Sequence, residues 1–245
     1  MTRPVINVVI DFSTGASFGY PFILDSSLLD GADVLSDSPA SLVVDVSNLI
    51  DSVQTNRGRQ ISAEVFQTGT AAVRILDQNG DFNPQNPASP YFTYLNPMRK
   101  MTITATYGAT TYPIFAGYIT GYNTSTPKFN GDIVYTTITA VDGFRLFQNA
   151  QFFGVVGATA GETTGSRIGK ILDTIGWPLA LRDIDTGLTT VQADPATQRT
   201  ALAALQTVAT TEYGAIYMDA QGRCAFQDRN VTVGTIAGTP VVFND

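Results

Sequence analysis

A chain of 245 residues, 44% hydrophobic but only 14% charged, is long enough to bury one large core or two modest ones, and neutral polar side chains must finish its surface, because soluble domains usually carry roughly 25% charged residues. It has no histidine and one cysteine, Cys224, which excludes imidazole-based triads, histidine-ligated hydrolytic metals, an internal disulfide and a CxxC pair. With 14 basic and 21 acidic residues the net charge is −7, which argues against extended contact with phosphate backbones or anionic lipid.

The N-terminal MTRPVINVVIDFSTG has one arginine and an apolar run broken by Asn7 and Asp11, unlike the continuous apolar core of a secretory signal. No window approaches the roughly 18 to 20 apolar residues of a membrane helix. The expectation is a protein made in a reducing cytoplasm and kept there until it joins something larger. From Pro4 to about Ala150 the texture is that of strands: VINVVIDF, SLVVDV, AAVRIL, MTITATY, YPIFAGYITGY and DIVYTTITAV are separated by Gly, Asn, Asp and Pro clusters. Met101, Ile103, Ala105 and Tyr107 alternate with threonines, one apolar face against one neutral polar face. The turn at Tyr107–Thr111 predicts a hairpin. Residues 1–150 therefore read as one antiparallel β domain.

A glycine-rich stretch at residues 151–165 reads as a linker. Ile168, Ile171, Leu172 and Ile175 then predict a helix, stopped by Gly176 and Pro178. A second helix is predicted with Asp194 as N-cap and Pro195 at its first position, carrying Ala201, Leu202, Leu205, Val208 and Ala209 on one face. A hairpin follows, AIYMD and RCAFQDR around Ala220-Gln221-Gly222. Residues 166–230 thus form a small two-helix α+β module, and residues 231–245 start a further strand region. The fold class is mainly β, an antiparallel barrel or sandwich, with an α+β module.

Candidate chemistry is sparse. Asp77-Gln78-Asn79-Gly80-Asp81 has the alternating oxygen side chains of a calcium loop but lacks the closing glutamate. Asn79-Gly80 and Pro84 explain it as a turn, with an ion site as the alternative. Glu162 and Glu212 read as a loop residue and a helix-end residue, and no acidic pair converges as a glycosidase requires. The stretch GVVGATAG lacks the lysine of a phosphate loop. Cys224 reads as a buried small hydrophobe and Trp177 as a packing residue at a helix-to-strand corner. The proline-framed aromatic loop with Tyr91, Phe92 and Tyr94 is the candidate interaction surface, packing on its own sheet being the alternative.

Three stretches together carry a resemblance. Arg57-Gly58-Arg59, Gly69-Thr70-Ala71, Asp77 with Gly80 to Asn86, Ser89-Pro90-Tyr91 with Leu95 and Pro97, and Phe115 to Ile119 follow one another in order; ITAVDGFRLF comes next, then RTALAALQTVATTEYGAIYMDAQGRCAFQDR. Over residues 40 to 230 this resembles minor tail proteins, the tail-tip or baseplate hub proteins, of long-tailed bacteriophages. The resemblance implies a β domain of tail-tube type, an inserted α+β domain, and self-association in a ring, trimeric or alternatively hexameric. The ring would contact tail-tube, distal tail and other tip proteins and pass viral DNA without specific binding. It implies a virion location and no catalytic residue, cofactor, metal or membrane insertion. A distal tail ring protein and a cell-wall carbohydrate-binding tip module, with Tyr91, Phe92 and Tyr94 as its platform, are the alternatives. The chain ends at VVFND, about where the family's second tube-like domain starts.

Overall fold

The computed structural model describes residues 3–12, 42–58, 65–125 and 133–230; the expected strand region at 231–245, and Arg59 of the RGR segment, lie outside them. Seven strands form one antiparallel sheet: β1 (Val5–Asp11), β2 (Val43–Asp45), β3 (Ile50–Asn56), β4 (Thr70–Leu76), β5 (Lys100–Tyr107), β6 (Thr110–Thr124) and β7 (Tyr135–Val141), in the order β2-β1-β5-β6-β7-β4-β3. Alternation decides which face is buried. In β7 Thr136, Ile138 and Ala140 are buried while their neighbours are half-exposed, and in β5 Met101 and Ile103 are buried between threonines.

The sheet is open rather than a closed barrel, but it curls around one core. Val8 and Ile10 of β1, Val73 and Ile75 of β4, Ile119 of β6 and Ile138 of β7 share a single cluster with Phe12, Phe82 and Phe115. The curl is carried by β6, a strand of 15 residues that pairs with β5 through Tyr118 and with β7 from Tyr118 onward. Its ladder shifts register opposite Ile103/Thr104, where Pro113 has no N–H to give, and again between Ile119 and Gly121. Such bulges bend a strand and increase its twist. The predicted hairpin is present, with Tyr107 paired to Thr110.

Beyond the sheet come α1 (Phe144–Asn149), β8 (Gln151–Phe152), α2 (Thr164–Thr174), β9 (Arg182–Ile184), β10 (Arg199–Thr200), α3 (Ala201–Glu212), β11 (Ala215–Met218) and β12 (Cys224–Gln227). They enclose a second core of Phe144, Phe147, Ile168, Ile171, Leu172, Trp177, Leu205, Ile216, Cys224 and Phe226 with their neighbours. The helix α1 contributes Phe144 and Phe147 to this second core. The glycine-rich stretch contributes too: Val155 is buried there. Trp177 packs edge-on against Phe147, ring centroids 4.7 Å apart, and donates its indole N–H to Leu181 O at 2.8 Å.

One predicted helix boundary is corrected. The helix α3 starts at Ala201, with the Thr200 hydroxyl accepting from Ala203 N, not at Asp194. Ala196 has φ of 50°, which takes the chain out of helical space just after Pro195. Asp194 instead accepts from Val155 N and Ala196 N and pairs with Arg199. The two cores meet through residues without bulk. A Cβ on Gly143 would lie 2.7 Å from the Met218 methyl and 2.8 Å from the Trp177 ring, and one on Gly222 would lie 3.1 Å from the Ala116 methyl.

Because Phe147 is fully buried against the lone tryptophan, Phe147→Ala should lower the unfolding free energy by about 3–5 kcal/mol. Urea titration followed by Trp177 fluorescence measures this; a loss under about 1 kcal/mol would mean that the ring is not a core element.

Candidate functional site

Between β4 and β5 the chain runs from Asp77 to Arg99 without regular secondary structure, yet it is closely specified. Gly80 N donates to Asp77 O at 3.1 Å, Asn83 N to Gly80 O at 3.2 Å, Asn86 N to Asn83 O at 3.0 Å, Ser89 N to Asn86 O at 3.1 Å and Phe92 N to Ser89 O at 3.2 Å. Each turn begins where the last one ends. In the final three the first side chain accepts from the N–H two residues on: Asn83 from Gln85 at 3.0 Å, Asn86 from Ala88 at 3.1 Å and Ser89 from Tyr91 at 3.0 Å. The second position is Pro84, Pro87 or Pro90, whose fixed φ suits a turn. The repeat Asn-Pro-Gln, Asn-Pro-Ala, Ser-Pro-Tyr encodes this ladder, and a three-residue period is the signal that a search for long repeats misses.

The ladder is pinned at both ends. Asp77, buried beneath it, accepts from Asp81 N at 2.7 Å, Phe82 N at 3.2 Å and the Thr136 hydroxyl at 2.7 Å. The carboxylate is therefore the anchor of a turn. Asn86 donates its amide N–H groups to Asn79 O at 3.2 Å and Gly80 O at 3.0 Å, and Ser89 donates to Asp81 O. Among the described residues no group of three or more acidic or cysteine side chains is placed to hold a metal ion.

The aromatic trio at the end of the ladder is split. Tyr91 packs between Phe12 and Phe82, with ring centroids 5.7 and 5.2 Å away, and Tyr94 lies on the same core. Phe92 points the other way and is 43% exposed. The ladder's side chains and the end of β6 bound a groove of about 620 Å³. Gln78, Asn79, Gln85, Asn123, Pro84 and Tyr122 are among its described lining residues, none of which is charged. The Tyr122 hydroxyl is buried without a hydrogen-bond partner among the described residues, and burial holds its ionisation well above the usual range.

Carboxylates in the second core are committed to structure. Glu162 would be raised by burial, but Arg167 and Lys170 bond to it and hold it below its ordinary value. Glu212, fully buried, is likewise held low, burial being outweighed by donors: Thr189 N at 2.8 Å, the Thr164 hydroxyl at 2.8 Å and Leu188 N at 3.2 Å. Both carboxylates are thus engaged by donors of their own core. The Cys224 thiol is pushed up to about 12 by burial, leaving no thiolate.

Asp142 behaves differently. At the passage from β7 to α1 it accepts from Gly69 N at 2.6 Å and Phe144 N at 3.0 Å. Burial outweighs these donors and the nearby Arg57, and the carboxyl is pushed up to about 6.

No protein-family model matches this chain, and no curated protein does. Solved structures similar to it include the 43 kDa tail protein of prophage MuSo2 from Shewanella oneidensis, 12% identical with a TM-score of 0.45, the match covering 77% of this chain and 52% of that one. Another is the tail protein from Neisseria meningitidis MC58, 11% identical with a TM-score of 0.43, covering 65% of this chain and 41% of that one. This chain spans about half the length of the first and rather less of the second.

Two outcomes test the site. Asn86→Ala deletes three hydrogen bonds of the ladder and should cost about 2 kcal/mol in urea unfolding; an unchanged midpoint would mean that the ladder is not held by its side chains. For Asp142 the folded value lies above the ordinary 3.8, so the folded state keeps the proton more tightly than the unfolded chain. Its contribution is intact below about pH 4 and is lost as pH rises through about 6. Relative to Asp142→Asn, which does not titrate, the native chain should lose about 3 kcal/mol between about pH 4 and pH 7. A difference that stays flat with pH contradicts a costly buried charge.

Proposed function

We propose that the protein is a structural component of a phage tail tip or baseplate hub and turns over no substrate. Copies associate through their sheets into a ring that continues or closes the tail tube, meets tail-tube, distal tail and other tip proteins, and passes viral DNA without specific binding. In this reading residues 1–150 are the tube-like β domain, 151–165 its linker, 166–230 the inserted α+β domain and 231–245 the start of a further strand region. The protein is made in the host cytoplasm and ends in the virion tail.

One observation carries the reading: among the described residues β3 stands at the edge of an open sheet, seven residues long, with no proline, no lysine and Asp51 as its one charge. Proteins that remain monomeric usually blunt such edges with short strands, lysine, proline or a cover. The outer face of the sheet suits the same role. It presents Thr102, Thr104, Thr120, Thr137 and Thr139, and the Thr120 and Thr139 hydroxyls pair at 3.0 Å. Arg74 there is paired with Asp51 and lies over the Tyr135 ring. A neutral, hydroxyl-rich face can meet a neighbour without stranding buried charge. The resemblance over residues 40 to 230 supports a tail protein or another copy as that neighbour. In the contact loop Phe92, the exposed ring, makes the outward contact, with Tyr91 and Tyr94 supporting it from the core side.

Native mass measurement and negative-stain imaging of the concentrated protein should show a closed ring, threefold in the hub form. A sixfold ring would move the assignment to a distal tail ring, and a protein that stays monomeric at high concentration and is absent from virions contradicts the proposal.

A further inference from the structure

We propose that the groove between the turn ladder and the end of β6 is a binding site for an uncharged oligosaccharide. The groove is distinct from the aromatic loop that the sequence singles out, because two of that loop's three rings are packed on the core. Its volume of about 620 Å³ lies within the roughly 300–1,000 Å³ of small-molecule sites. The lining chemistry narrows the class of ligand. No described lining residue is charged, so among them a phosphate, nucleotide or acidic sugar finds no counter-ion. Amide and hydroxyl groups dominate, so an apolar ligand would strand them.

The lining instead offers side-chain amides that the fold has not used. Asn86 and the Asn83 carbonyl are spent on the ladder itself. Gln78, Asn79, Gln85 and Asn123 have no intramolecular side-chain bond among the described residues, so each keeps an amide donor beside a carbonyl acceptor. That donor–acceptor pair matches two neighbouring hydroxyls of a sugar, one of which accepts while the other donates. The Ser125 hydroxyl accepts from Tyr135 N at 2.9 Å and keeps its O–H to give, and the Pro84 and Tyr122 rings offer apolar surface for the C–H face of a pyranose. The frame is rigid, because regularly spaced prolines and side-chain-capped turns fix the ladder before any ligand arrives. Preorganisation of this kind lowers the ordering cost of binding.

The site does not rest on the assembly proposed above. Saturation-transfer NMR on the full chain, with maltotetraose, cellotetraose and chitotetraose as probes and a neutral alanine–serine peptide as comparison, tests it, followed by calorimetric titration of whichever sugar binds. At least one sugar should show transfer. Gln85→Ala and Asn123→Ala, both at exposed positions outside the ladder's side-chain anchors, should each weaken it about tenfold with unchanged melting temperature. Phe92→Ala should leave it intact. Absence of transfer from every sugar at millimolar concentration overturns the proposal. So does transfer from the peptide alone, binding that survives both amide variants, or binding that is lost with Phe92 instead. Ring formation is read by native mass in the same preparations, so failure of the sugar site and failure of the assembly are separate results.

Discussion

An open antiparallel sheet leaves a row of backbone donors and acceptors unmatched along each edge, and that unmet hydrogen-bonding demand is the constraint around which this protein is arranged. Among the described residues the sheet stops at one end with β2, only three residues long, and at the other with the seven residues of β3. The inner side of β3 is settled, since Ile50 and Val53 lie against the first core and the strand pairs with β4. Its outer side carries no device against association among the described residues. With 14% charged residues the chain also has few charges to desolvate where a neighbour covers its surface. An edge and a surface of this kind suit the association proposed above.

The rest of the fold holds that edge in place. The bends of β6 curl the sheet so that strands from both ends share one core. The turn ladder spans the gap from β4 to β5, and Asp77 ties it to Thr136 of β7. The second core is joined at the end of β7, where Asp142 bonds both to the start of β4 and to the start of α1. Each connection substitutes hydrogen bonds of short polar side chains for the ion pairs that a more highly charged protein would use. Among the described residues the well-buried ion pairs lie in the second core, at Glu162 with Arg167 and at Asp194 with Arg199.

Much of the architecture is legible in the sequence because burial follows period. The alternation of Met101 and Ile103 with threonines, and the spacing of Ile168, Ile171 and Leu172, give strand and helix faces directly. Local pattern fails where a residue's partner is remote. Asp194 has every local feature of an N-cap, yet its partner Val155 N lies 39 positions away. Thr200, a weaker cap beside no proline, takes the role because Ala196 leaves helical space. The fate of Tyr91 is equally hidden: nothing near it in sequence says that Phe12 waits across the core. The ladder is legible in principle, since Asn-Pro and Ser-Pro at a period of three are local turn chemistry. The neutral groove is not, because its two walls are joined only by tertiary structure.

The central claim is that β3 pairs with another copy, and amide exchange reads that edge directly. Hydrogen–deuterium exchange on residues Ile50–Asn56 should slow markedly when the protein passes from dilute monomer to the assembled state, with little change in β7 at the middle of the sheet. If the β3 amides exchange at the same rate in both states while assembly is complete by mass, the ring is not built on this edge and the role proposed for β3 is wrong.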